Sequence, residues 1–383
     1  MLLPHLEYPP DDLIAGCSLG NRDCFVRSTP RANLDNLWIS ATGEWRFGEA
    51  ALEFLVEGAP PCHKETLFEP GAMRADYAAG DIILSQCLFV QAETVARVYL
   101  MVEIRNAGRS PAKLVIRAHG CFAARPSLLH RRQPPQEDIE LRVKPISSTR
   151  NAALIVETEK GDRLEVRSGS GAPPQMSGPQ EWFAEEKLVV SPQGQCNVWW
   201  ALTAGSGTRA PAPAHTAYLK TLRSETRLCE GVCSVGAPSP VINGGVGWGK
   251  VNTDRVFHLY RNGYGFTNDP PGSIVVTRDA AWWVFGADYY RPDCCRKLLD
   301  TITQHAPYPE GKIAEYIDLA AQPVSRADYN LNIADPTPLY LLAVRHHAAC
   351  TGDSEWLRKT LPTAVAAADY LLSQVIDGLV VCQ

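Results

Sequence analysis

Three stretches decide how this chain reads: SIVVTRDAAWWVFGADYY at residues 273–290, GKIAEYID at 311–318 and DYNLNIADPTPLYLLAVRHHAACTGD at 328–353. In each, charged, aromatic and amide residues gather just before or at the start of a segment with helical spacing. Side chains at helix starts can converge on a shared hollow. The apolar run Ile274-Val275-Val276 leads directly into Thr277-Arg278-Asp279, and Trp282-Trp283 follow.

Outward from these stretches, the last third of the chain is helical in pattern. Helices are expected at 243–262, 280–290, 293–304, 337–350 and 354–374, with Gly352-Asp353-Ser354 and Asp377-Gly378 as boundary signals. These five are joined by connections that alternate short and long, as a ring of α-hairpins requires. The first 205 residues read differently. Runs at 81–90, 96–105 and 112–122 are β-branched, apolar and partly alternating, and shorter candidates follow at 152–157, 163–167, 187–190 and 197–204. The segment 106–111, NAGRSP, carries turn residues and is expected to close a hairpin between the second and third runs. The expected architecture is a two-domain β + α protein: an antiparallel β-sandwich over 1–205, a linker with a helix over 206–240, and a helical domain over 241–383.

Composition narrows the function classes. The chain has 383 residues, 45% hydrophobic and 21% charged, with a formal net charge of −5. No broad basic field exists, so nucleic acid is not an expected partner. No apolar run approaches the ~18–20 residues of a membrane helix, and MLLPHLEYPPDD lacks a signal-type core, so a cytoplasmic protein without a membrane partner is expected. Twelve scattered cysteines fit reduced, mostly buried thiols. Cys229 and Cys233, or Cys294 and Cys295, lack a second pair at zinc-finger spacing, so no metal and no cofactor are expected. His346-His347 reads as one core-facing and one solvent-facing residue, not a metal pair.

Two clusters carry chemistry. Asp279 at a helix start has a bland alternative, since carboxylates there often only cap the helix. Arg278 and the tryptophans beside it favour more: carboxylate and guanidinium bond sugar hydroxyls as acceptor and donor, while indole faces cover C–H surface. Asp328, Tyr329, Asn330, Asn332 and Asp335 form the second cluster, ahead of Pro336 in the first helical turn. A capping role competes for Asp335, but five hydrogen-bonding side chains within eight residues exceed what one cap needs. Glu315, Tyr316 and Asp318 make a weaker third group. The stretch 244–250, GGVGWGK, satisfies G-x-x-x-x-G-K, yet Val251 lacks the hydroxyl that would hold Mg²⁺ and no apolar strand enters it. ATP binding is not expected.

Over residues 240–383 these pieces resemble the six-hairpin glycosidases, most nearly the bacterial and archaeal glycogen-debranching (amylo-α-1,6-glucosidase) group. That group's Gly-Arg-Asp helix start is similar to Thr277-Arg278-Asp279. Its Tyr-Asn segment is similar to 329–340, and its Thr-Gly-Asp helix end to 351–353. Thr277 replaces the family's Gly, and Pro336-Thr337 stands where Ala is usual. The resemblance implies a β-sandwich followed by an (α/α)6 barrel, here incomplete at about five helices. It also implies inverting hydrolysis of α-glucosidic bonds, with an α-glucan or α-glucoside as substrate. Arg278, Asp279, Trp282, Tyr329, Asn330, Asn332 and Asp335 would bind the sugar. Inversion needs a carboxylic acid and a second carboxylate roughly 6.5–9.5 Å apart. In the family both lie later than the segment matching 377–379, so the expectation is that this chain encodes neither catalytic carboxylate and that a second chain completes the barrel. A disaccharide phosphorylase shares the same plan and stays open. So does a non-catalytic glucan-binding or interaction protein.

Overall fold

The structure is a computed structural model and describes residues 6–8, 18–93, 95–122, 142–146, 152–205, 210–267, 272–329 and 335–380. The chain forms two compact units, Met1–Ile39 with Glu44–Arg227 and Ser40–Gly43 with Leu228–Gln383.

The first unit is antiparallel β. One sheet runs in the order Leu6–Tyr8, Cys62–Glu69, Ala72–Ala79, Ile82–Val90, Ala96–Asn106, Gln195–Ala204, Arg163–Ser168, Ala153–Thr158 and Val143–Pro145. A second sheet runs Gln175–Met176, Glu181–Val190, Ala112–Cys121, Ala50–Val56, Leu34–Ile39, Cys24–Ser28 and Ser18–Gly20. The apolar residues that alternate along the central strands, such as Leu84, Leu88, Val98, Leu100, Leu114 and Ile116, are buried. Each contributes about 1.5–3 kcal/mol relative to exposure.

The strand Ala96–Asn106 is buried on both faces as far as Val102, Arg97 included, and alternates only beyond it. Helix α1 (Ala214–Glu230) explains the change. Its Ala214 and Ala217 pack on Phe89, Tyr99 and Met101 of the outer face. Tyr218 donates to Glu69 at 2.6 Å, and Thr221 to the Val90 carbonyl at 3.2 Å. The helix in the span read as a linker is thus docked on the β unit.

The hairpin expected at 106–111 does not form. Ala96–Asn106 belongs to one sheet and Ala112–Cys121 to the other, so this segment crosses between sheets. Asn106 pins the crossing: its amide donates to the Ser110 and Val190 carbonyls at 2.8 and 3.0 Å, and its Oδ1 accepts from Gly108 N at 2.9 Å. Asn, Gly and Pro suit any tight reversal, and the edges available for pairing decided this one. The strand expected at 187–190 spans Glu181–Val190 instead. Its charged first half disguised an alternation in which Trp182, Ala184 and Glu186 face inward.

The second unit holds α2 (Pro240–Arg255), α3 (Thr277–Ala287), α4 (Pro292–His305), α5 (Pro336–Thr351) and α6 (Ser354–Ser373). The helix expected over 243–262 stops at Arg255, and Phe257–Tyr260 pairs antiparallel with Gly263–Phe266. Arg261-Asn262 makes the turn; Gly263, which opens the second strand, has φ +143° and abuts Thr301, a position closed to larger residues. Residues 244–250 lie inside α2 and not in a loop. Lys250 is buried there and donates to the Cys229 and Val232 carbonyls at 3.1 and 2.6 Å. The apolar faces of α3 (Ala280, Ala281, Val284, Ala287) and α5 (Tyr340, Ala343, Val344) are buried where the two helices pack. Gly352 ends α5 in a left-handed conformation, and Asp353 then caps α6 by accepting from Trp356 N at 2.8 Å. Among the described residues no helix is long and apolar enough to cross a membrane.

Candidate functional site

A three-stranded sheet assembles the candidate site. Ile274–Val276 pairs with Tyr316–Asp318, which pairs with Ser325–Ala327. The first strand delivers Thr277-Arg278-Asp279 at its end, and the third delivers Asp328-Tyr329. Two buried threonines clamp the segment 313–315 between α3 and α5. Thr277 Oγ1 donates to the Ala314 carbonyl at 2.8 Å and Thr277 N to the Glu315 carbonyl at 2.8 Å. Thr337 Oγ1 accepts from Ile313 N at 3.1 Å. These two threonines are therefore the residues that dock the two helix starts.

Arg278 lies between two carboxylates. Its Nη1 is 3.4 Å from Asp335 Oδ2, and its Nε is 3.6 Å from Asp279 Oδ1. Asp335, then Asp279, hold the guanidinium above its ordinary pKa. Neither carboxylate makes an N-cap side-chain bond. Asp279 is the third residue of α3, behind an N-cap at Val276, and Asp335 at the N-cap of α5 makes no side-chain cap bond. Asp335 Oδ1 is shielded from solvent and has no hydrogen-bond partner among the described residues. Such an acceptor is costly unless a donor reaches it.

Tyr329 stands beside this trio. Its ring meets Tyr316 at 4.6 Å, and its backbone N–H donates to the buried Glu315 carboxylate at 2.6 Å. Burial, then Tyr316, Glu315 and Asp279, push its hydroxyl pKa up, while Arg278 opposes them. Asp328 is fully engaged: Oδ2 pairs with Lys312 at 2.7 Å and Oδ1 accepts from Glu315 N at 2.9 Å. It positions Glu315. Asp318 likewise accepts from Ser273 Oγ and Ala320 N at 2.7 and 3.0 Å, which makes it a strand fastener.

The two tryptophans divide. Trp283 packs on Phe266 at 4.8 Å. Trp282, one turn after Arg278, is 61% exposed and meets Phe285 edge-on at 5.4 Å. The structure thus brings Arg278, Asp279 and Asp335 together, with Trp282 on the same helix as the first two and Tyr329 held against Tyr316 and Glu315. Asn330 and Asn332 lie outside the described residues. Sequence reading undervalued Glu315 and Tyr316. The available signal was Gly311, at φ +95°, where an added Cβ would stand 2.2 Å from the Ala366 carbonyl oxygen. A glycine forced by close approach marks a tightly held turn, and here it leads into the segment that carries both residues.

The whole chain is similar to two solved structures. One is described as a kojibiose phosphorylase from human microbiome, with a TM-score of 0.67 at 10% identity, covering 97% of this chain and 59% of that one. The other is a bacterial glucoamylase in complex with acarbose, with a TM-score of 0.50 at 9% identity, covering 97% of this chain and 68% of that one. No family model matches the sequence, and no curated protein matches it. At 9–10% identity the likeness is one of fold, and the two-part β plus α plan of this chain is consistent with it. The chain spans 59% of the phosphorylase's length.

Proposed function

We propose that Arg278, Asp279, Asp335 and Tyr329 hold the hydroxyls of one glucosyl unit of an α-glucoside. Trp282 offers an indole face to the sugar's C–H surface, and Asn330 and Asn332 add amide contacts. The observation that carries this reading is Arg278 held between Asp279 and Asp335. A planar donor flanked by acceptors, with a phenol adjacent, matches the alternating donors and acceptors around a pyranose ring. The likeness to proteins named for kojibiose and for glucoamylase supports α-glucosides as the substrate class.

Transfer of the glucosyl group to water, including debranching of an α-glucan, is the first reading of the reaction. Transfer to phosphate is the second. It is favoured by the higher TM-score to the phosphorylase, 0.67 against 0.50, at equal coverage of this chain. Calorimetric titration with acarbose, maltose and kojibiose tests the site, and product analysis with and without phosphate separates the reactions. Glucose 1-phosphate formed only with phosphate supports transfer to phosphate; free glucose in both supports hydrolysis. Binding without turnover favours a glucan-binding protein. The reading fails if none of the three sugars binds, or if Arg278→Ala binds them as the parent does.

A further inference from the structure

We propose that Asp288, His346 and Cys350 bind a divalent cation of borderline softness, with Zn²⁺ the best match. Asp288 follows the last residue of α3, whereas His346 and Cys350 stand one helical turn apart on α5 and so share a face. Their ligand atoms all lie within 4.8 Å of one another.

The decisive observation is the Asp288 carboxylate. Its side chain is fully buried, and Oδ1 is bonded to His347 Nδ1 at 2.6 Å. Oδ2 is shielded from solvent and meets no partner at hydrogen-bond geometry among the described residues, although the buried Cys295 thiol also lies beside this carboxylate. It faces His346 Nε2 at 3.8 Å, too long for a hydrogen bond. A buried, unsatisfied carboxylate oxygen is expensive, and a cation between it and the imidazole would satisfy it.

Two of the three ligand spacings come close to those of a tetrahedral ion, and the third lies within 4.8 Å. Zinc bonds of about 2.0–2.1 Å to nitrogen or oxygen and about 2.3 Å to sulfur imply edges near 3.3 Å for N···O and near 3.5 Å for N···S. The structure has 3.8 Å between His346 Nε2 and Asp288 Oδ2, and 3.5 Å between His346 Nε2 and Cys350 Sγ. A thiolate, an imidazole and a carboxylate form a donor set suited to zinc, and the exposed side at Cys350 leaves room for water as a fourth ligand.

Neighbouring groups hold the ligands in place. His347, which fixes Asp288, is itself packed edge-on against Trp356 at 4.6 Å. Phe285 and Tyr289 meet the His346 ring edge-on at 5.3 and 5.8 Å. Metal ligands are characteristically oriented by such outer partners. The cation would tie the end of α3 to the last turn of α5, and the Cys350 thiol would lose its proton to solvent on binding.

The test uses the purified chain with Co²⁺ and Zn²⁺. One equivalent of Co²⁺ should produce tetrahedral d–d bands with a thiolate-to-metal charge-transfer band, and Zn²⁺ should displace it and raise the melting temperature. Cys350→Ser should abolish the charge-transfer band, and His346→Gln should weaken Zn²⁺ binding more than about tenfold. Cys62→Ser and Cys233→Ser, at exposed cysteines elsewhere, should change neither. Absence of equimolar binding overturns the proposal. So does binding whose spectrum and affinity survive both Cys350→Ser and His346→Gln, since the ion would then sit at other thiols.

Discussion

Arg278 Nη1 lies 3.4 Å from Asp335 Oδ2, joining the start of α3 to the start of α5 across 57 residues of sequence. Both side chains are about two-fifths exposed, so the pair is worth at most about 1 kcal/mol to the fold. Its value lies in orientation: the guanidinium plane is fixed before a ligand arrives. Arg278→Ala should leave the melting temperature within a degree or two while lowering sugar affinity about tenfold or more. Arg278→Lys should restore only part, because an ammonium lacks the planar fork. Calorimetry beside thermal melts checks both.

Asp279 and Asp318 should separate cleanly. Asp318 serves Ser273 and Ala320, so Asp318→Ala should cost about 1–2 kcal/mol of stability and leave affinity unchanged. Asp279→Ala should do the reverse. Equal affinities for the two variants would remove the distinction.

Lys250 is the lysine of a phosphate-loop-like string, yet it is buried in α2 and bonded to two carbonyls. Lys250→Met should destabilise the protein by about 2–3 kcal/mol, since both acceptors lose a charged donor. Adding ATP with Mg²⁺ should shift the melting temperature of neither form.

Two left-handed glycines should respond unequally to alanine. At Gly352, φ +69°, nothing lies within 4 Å of an added Cβ, and the cost should stay near 1 kcal/mol. At Gly311 the Cβ would meet the Ala366 carbonyl oxygen at 2.2 Å. Gly311→Ala should cost more than about 2 kcal/mol and also lower sugar affinity, because Lys312 and Glu315 follow directly. Denaturant midpoints and titrations on both variants decide it.

Glu44 supplies a pH signature. Burial pushes its pKa up, but the bonds from Lys160 and Arg46 outweigh burial and hold it below the usual carboxylate value. A depressed carboxylate stabilises the fold above its unfolded pKa, and that contribution is lost as pH falls through the folded one. Glu44→Gln should therefore lower stability by about 1 kcal/mol at neutral pH. The gap to the parent should narrow below about pH 4.5. Urea midpoints across that range measure it.

Much of the fold was legible because it rests on local pattern. The run Ile82–Val90, the helix α4 and the pair α5–α6 follow from alternation, helical period and the Gly352-Asp353 signal, all acting within a few residues. The Arg261-Asn262 turn was equally local, but the glycines and helical spacing ahead of it drew the expected helix past Arg255. The segment 106–111 misled for a different reason, since its turn residues specify a reversal and not the sheet in which the next strand finds a partner.

By itself the sequence determined the order of a β-rich part before a helical part, and the residue types gathered at the starts of α3 and α5. Only the tertiary structure decided which of those residues meet. It set Arg278 between Asp279 and Asp335, withdrew Asp318, Asp328 and Trp283 into structural roles, and brought Asp288 against His346 and Cys350. The physical reason is range. Backbone period and turn chemistry act over a few residues, whereas contacts across 57 residues depend on how packed helix faces and strand registers align, which no short stretch encodes.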